Sequence, residues 1–208
     1  MNFDIANFAI WFVAFLVSTT CHEAAHALVA RMGGDDTAAE QVTLNPVPHM
    51  KREPFGMLLM PLLSYAMAGW MMGWASAPYD PYWARRHPQR AGLMALAGPC
   101  ANFVLCAIAI VLLRLTLSGT LPREAAQFFF VLALLNGLLG VFNLLPIPPL
   151  DGAGVAEGFG GDAVRNALDW FRSSPMSGMI GLFVAWRLFA FLTPGVAGFI
   201  RSIALPGM

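Results

Sequence analysis

Residues 5–31, IANFAIWFVAFLVSTTCHEAAHALVAR, decide how the chain is read. From Ile5 to Val17 the only polar side chain is Asn7, and the whole stretch exceeds the roughly 20 apolar residues that a helix needs to cross a bilayer core. His22, Glu23 and His26 then fall close together in its second half. Ionisable groups in an apolar helix are costly in lipid and mark a functional site by default. The stretch begins at Asp4 with no basic segment before it, and His22-Glu23 stands where a signal-peptide cleavage region would lie. It reads as a retained helix.

Outward from it, the apolar pattern repeats. Segments near 91–117, 125–147 and 178–200 are each long enough to span, whereas 56–77 is interrupted by Pro61, Gly69 and Gly73. The polar connections are 32–55, 78–90, 118–124 and 151–177. Ser118-Gly119 and Pro122 make the turn that sets 91–117 antiparallel to 125–147. Gln41-Val42-Thr43-Leu44 has strand character. The expected fold is therefore an all-α polytopic membrane protein, one domain over 1–208. It has about four transmembrane helices, a re-entrant segment near 56–77 and a short strand or hairpin near 41–50.

Composition agrees. The chain is 58% hydrophobic and 12% charged, where a soluble domain has roughly 25% charged residues. A net charge of zero with dispersed Lys and Arg argues against a nucleic-acid partner. Cys21, Cys100 and Cys106 show no zinc-ribbon or disulfide spacing and read as buried thiols.

His22-Glu23-Ala24-Ala25-His26 fits the H-E-x-x-H pattern. Residues i and i+4 share a helix face, so both imidazoles can reach one zinc, with Glu23 beside it as general base. A polar cluster that merely packs two helices together is the competing account. A catalytic zinc takes three protein ligands and keeps an open position. Asp151 is the best remaining candidate, because Pro146, Pro148 and Pro149 stop the preceding helix and deliver it on non-helical backbone. Taken alone, Asp151-Gly152 is equally an ordinary helix-end turn.

The set His22-Glu23-x-x-His26, Gly98-Pro99-x-x-Asn102 and Asn143-x-x-Pro146-x-Pro148-x-Leu150-Asp151-Gly152 resembles the site-2 protease family of intramembrane zinc metalloproteases. It is most similar to the short bacterial members without PDZ or CBS domains. That resemblance implies one Zn2+ per chain, with His22, His26 and Asp151 as ligands and Glu23 as catalytic base. Asn143 would hold the substrate strand or polarise its carbonyl, and Asn102 would line the site. Thr43-Leu44-Asn45-Pro46-x-x-His49 resembles a segment of the same members, and His49 would approach the zinc or gate access to it. The implied partners are a transmembrane protein substrate and the lipid bilayer. The implied location is a bacterial inner membrane.

Shared ligation constrains topology. His22 and His26 lie near the C-terminal end of the first helix and Asp151 lies just past the 125–147 helix, so these two helices must run in the same direction. Parity then closes only if 56–77 enters the bilayer without crossing. With the N-terminus outside, Arg31, Lys51, Arg52, Arg85, Arg86, Arg90, Arg165 and Arg172 all fall on the cytoplasmic side. That matches the positive-inside bias and puts the site nearer the cytoplasm. A metal transporter and a catalytically dead scaffold are the rival functions. The first needs ligands continuing to both faces, and the second has no reason to keep Glu23.

Overall fold

In the computed structural model, which describes residues 4–173 and 175–204, every regular element is helical. The helices are α1 (Ile5–Met32), α2 (Pro46–Arg52), α3 (Met60–Ala68), α4 (Pro81–Arg86), α5 (Pro88–Leu117), α6 (Ala126–Asn143), α7 (Asp151–Phe159), α8 (Gly161–Arg172) and α9 (Pro175–Ala204). Four of the helical segments, Ile5–Met32, Pro88–Leu117, Arg123–Asn143 and Met176–Ala204, are long and apolar enough to cross a membrane. Large apolar side chains such as Phe183, Phe191 and Phe199 on α9 face outward. In water that surface would be a liability; in a bilayer it is the solvated face. The protein is an all-α integral membrane protein.

Hydrogen bonds between helices fix their directions. At one end Gln127 Nε2 donates to Asn7 Oδ1 (3.0 Å), and further along Asn136 Nδ2 donates to Ser18 Oγ (2.8 Å), so α1 and α6 run parallel. Asn102 meets His22 while Met94 meets His26, so α5 runs opposite to α1. Arg114 Nε donates to the Ile203 carbonyl (2.9 Å), which sets α9 parallel to α5. Ala14, Phe15, Ala109, Leu132 and Ala133 fill the core where these helices cross.

The 56–77 segment behaves as parity requires. A π-helical turn (Phe55–Leu59) and α3 climb to where Tyr65 stacks edge-on against Phe8 near the start of α1. Gly69 then adopts φ +72°, a left-handed conformation that suits glycine, and the chain returns without helix. Met72 N–H donates to Ser64 Oγ (2.9 Å), Trp74 N–H to the Gly56 carbonyl (3.2 Å) and Asp80 N–H to Asp35 Oδ2 (2.8 Å). The segment is a hairpin with both ends on one side.

Three expectations are corrected. The strand or hairpin near 41–50 is absent; a 3-10 turn (Ala39–Gln41) and α2 occupy that stretch. Asn45 accepts from Val47 N–H (3.0 Å) and Pro46 supplies a ready-made φ at the first helical position, so a capped helix start outweighs the strand propensity of Val42 and Thr43. The 151–177 connection is ordered as α7 and α8. Among the cysteines only Cys106 is buried, while Cys21 is half-buried and Cys100 exposed. On a spanning helix an exposed thiol meets lipid, which an apolar thiol tolerates.

Candidate metal centre

His22 and His26 are adjacent turns of one face of α1, their rings 4.6 Å apart and nearly perpendicular. Asp151 is the first residue of α7, delivered by the Leu144–Leu150 turn after α6. The backbone there is so close that a Cβ on Gly152 would lie 2.3 Å from the Leu144 carbonyl oxygen, which is why glycine follows the aspartate.

The three side chains converge. Asp151 Oδ2 lies 3.0 Å from His22 Nε2, Asp151 Oδ1 lies 3.4 Å from His26 Nε2, and the two Nε2 atoms are 3.0 Å apart. On the far side of each ring, His22 Nδ1–H donates to Asn102 Oδ1 (2.6 Å) and His26 Nδ1–H donates to the Met94 carbonyl (2.7 Å). Both Nδ1 protons are thereby committed, which leaves both Nε2 lone pairs free beside the carboxylate. Two bare nitrogens and a carboxylate in contact repel unless a positive charge sits among them. Ligands held about 2.0–2.1 Å from a tetrahedral zinc stand roughly 3.3 Å apart, close to the spacing here. The donor set therefore fits zinc. Among the described residues this is the one group of three or more His, Cys, Asp or Glu side chains placed to share a metal ion.

Gly98 of α5 explains how the rings are approached so closely. A Cβ at Gly98 would lie 2.4 Å from His26 Nε2 and 2.5 Å from His22 Nε2, so a side chain there would enter the donor cluster. Glu23 is buried on the next position of α1.

The other expected site residues divide. Asn102 is fully buried behind His22, with its amide engaged by His22, Asn136 and, at 3.5 Å, the Ser18 carbonyl. Asn143 ends α6, half-buried, and has no hydrogen bond to the His22–His26–Asp151 group. His49 is buried on α2 with Nε2–H donating to the Thr43 carbonyl (3.2 Å) and Nδ1 lacking a partner; it stands outside the donor group. Sequence reasoning overlooked Asn136 and Ser18, both fully buried beside Asn102. The signal was present, since an amide inside the apolar run 125–147 has to find a partner.

Comparison with known proteins agrees with this geometry. The profile described as Peptidase family M50 matches residues 10–126 and 118–186. Three relatives carry the name "Putative zinc metalloprotease". YwhC of Bacillus subtilis is 38% identical over 182 residues, covering 83% of this chain and 78% of its own length. Rip2 of Mycolicibacterium smegmatis is 34% identical over 157 residues, covering 74% of this chain and 58% of its own. Rip3 of Mycobacterium tuberculosis is 30% identical over 191 residues, covering 89% of this chain and 40% of its own. No solved structure matches with significance. With its donor cluster, its four apolar helices and these relatives, the chain belongs to peptidase family M50.

Proposed function

We propose that this protein is an intramembrane zinc endopeptidase that hydrolyses peptide bonds within or near transmembrane segments of membrane-protein substrates. The observation that carries this reading is the meeting of His22 Nε2, His26 Nε2 and an Asp151 carboxylate oxygen, with both Nδ1 protons already engaged. Those three atoms would hold one zinc per chain, which when bound would supply Lewis acidity for a peptide carbonyl and for water. Glu23 takes the proton from water on its carboxylate and passes it to the leaving amine. Asn143, at the mouth of the turn that carries Asp151, offers an amide to the substrate backbone. A substrate helix must unwind locally before its carbonyls are free to react. Arg85 and Arg86 on α4 and Arg90 in the first turn of α5, with Arg165 and Arg172 on α8, favour a cytoplasmic placement of the Asp151 side in a bacterial inner membrane.

The test compares wild type with Glu23→Gln for zinc content and for cleavage of a transmembrane peptide. Retained zinc with cleavage lost is expected. A variant that keeps zinc and still cleaves removes Glu23 from its role, and zinc flux without cleavage in wild type favours transport. For orientation, single cysteines at the exposed positions Tyr79 and Gln89 should label from the cytoplasmic side. Labelling from the external side alone inverts the topology.

A further inference from the structure

The two histidines are oriented by acceptors of different kinds. His26 Nδ1–H meets the Met94 carbonyl, a backbone acceptor that cannot reverse. His22 Nδ1–H meets a side-chain amide, Asn102, which could present either oxygen or NH2 to it. Which end it presents decides the His22 tautomer.

We infer that Asn136 and Ser18 are positioning residues for His22: through Asn102 they keep its proton on Nδ1 and leave its Nε2 lone pair free in the donor cluster. The polarity can be read from a fixed end. Asn136 Nδ2 lies 2.8 Å from the Leu132 carbonyl, an obligate acceptor, and 2.8 Å from Ser18 Oγ. Ser18 Oγ–H in turn donates to the Ala14 carbonyl (2.6 Å), so its lone pairs face Asn136. With its NH2 thus committed, Asn136 must turn Oδ1 toward Asn102, which donates Nδ2 to it at 2.8 Å. Only Oδ1 of Asn102 is left for His22, and it can only accept. Ser18, Asn102 and Asn136 are fully buried, so water cannot substitute for a missing member.

The consequence for metal affinity rests on the zinc reading above, whereas the tautomer does not. The first measurement is therefore 15N NMR of histidine-labelled, metal-free protein in lipid nanodiscs, at alkaline pH so that no proton replaces the metal's charge among the Nε2 atoms, with His22 assigned by substitution. His22 in the Nδ1–H form is expected; the Nε2–H form in wild type overturns the inference. Asn136→Leu removes the short acceptor (2.8 Å) of the Asn102 NH2 and leaves only the long contact to the Ser18 carbonyl (3.5 Å), so Asn102 can turn over, offer its NH2 to His22 and drive the proton to Nε2. Zinc affinity, measured by competition with a chelator, should then fall about 10–100-fold, as for other partners that orient a metal-binding histidine. Ser18→Ala removes one of the two acceptors holding the Asn136 NH2 and should give a smaller loss in the same direction, on a milder change to the fold.

A general packing role would predict losses too, so the decisive arm is a double-mutant cycle. A carboxylate in Asn102→Asp has no donor end to turn toward His22. On that background Asn136→Leu should cost little further zinc affinity. Equal losses on both backgrounds would refute the relay. A wild type that holds the Nδ1–H tautomer yet binds no zinc would instead remove the metal reading and leave the relay standing.

Discussion

The α1–α5–α6 bundle and the 55–80 hairpin solve opposite problems at the same membrane depth. The bundle must keep polar groups inside apolar helices, and it does so with side-chain hydrogen bonds that leave little freedom: His22 to Asn102, Asn102 to Asn136, Asn136 to Ser18. The hairpin must bring non-helical backbone into the same layer, and it does so with glycines. A Cβ on Gly56 would lie 2.3 Å from the Trp74 carbonyl oxygen, and one on Gly73 would lie 2.4 Å from the Gly56 carbonyl oxygen. Irregular backbone is tolerated in a membrane only against protein or water. Removing side chains is how the returning strand gets close enough to the helix it left. Specificity in the first region is carried by added polar groups, and in the second by missing atoms.

Substitutions that exchange these strategies should break each region differently. The largest effect is expected from Gly98→Ala, where the bundle uses the hairpin's device against the donor cluster itself. Its methyl would sit among the histidine nitrogens, so zinc measured in the purified protein should fall to background and cleavage should stop. A variant with full zinc occupancy would show that α5 can back away. Gly56→Ala comes next: its methyl meets backbone carbonyl, which cannot rotate aside, and overpacking of this kind costs about 1–3 kcal/mol. The expected outcome is a lowered melting temperature in detergent with zinc retained. Simultaneous loss of zinc would mean that the hairpin supports the bundle more directly than the contacts indicate.

Tyr65→Phe should cost less, about 0.5–1.5 kcal/mol, by deleting the acceptor for Asn7 Nδ2 (2.8 Å) at the tip of the hairpin. Chemical denaturation of the two proteins in the same micelle measures it, and no change would mean that the stacking of Tyr65 on Phe8 carries the contact. The smallest effect is expected at the hairpin's base. Burial alone would push the Asp35 carboxyl up, but hydrogen bonds from the Thr37 hydroxyl and from the Asp80 and Thr37 N–H groups outweigh it and hold the group below its ordinary value. A depressed folded pKa contributes stability that is complete above the unfolded value of about 4 and is lost as pH falls through the folded one. The melting-temperature gap between wild type and Asp35→Asn should thus be full at neutral pH and shrink in acid. A gap that widens in acid would reverse the sign.

These contrasts also explain what the sequence disclosed. The donor cluster was legible because His22, His26 and Asp151 are rare residue types in such surroundings, and because one helix face requires the i, i+4 spacing. The hairpin shape of 55–80 was legible indirectly, through the parity that shared ligation imposes, with Pro61, Gly69 and Gly73 as local support. At 41–50 a strand was expected where α2 formed, because the strand propensity of Val42 and Thr43 drew more weight than the Asn45-Pro46 helix start. Asn136 was passed over for a different reason. One amide in a leucine-rich run carries no spacing pattern, and its partners are 34 and 118 positions away. Such pairings follow from three-dimensional packing and leave no local trace.

That 118-residue separation bears on biosynthesis. Ser18, His22, Glu23 and His26 leave the ribosome long before Asn136 and Asp151 exist. At roughly 5–20 residues per second the delay is on the order of ten seconds. Within that interval the polar face of α1 gains its α5 partners, Asn102 and Met94, before those of α6 and α7. Until α6 is made, Ser18 lacks the amide that completes its hydrogen bonds. The order of synthesis thus runs from α1 to α5 to α6, and the bond from Asn136 is among the last the site can form.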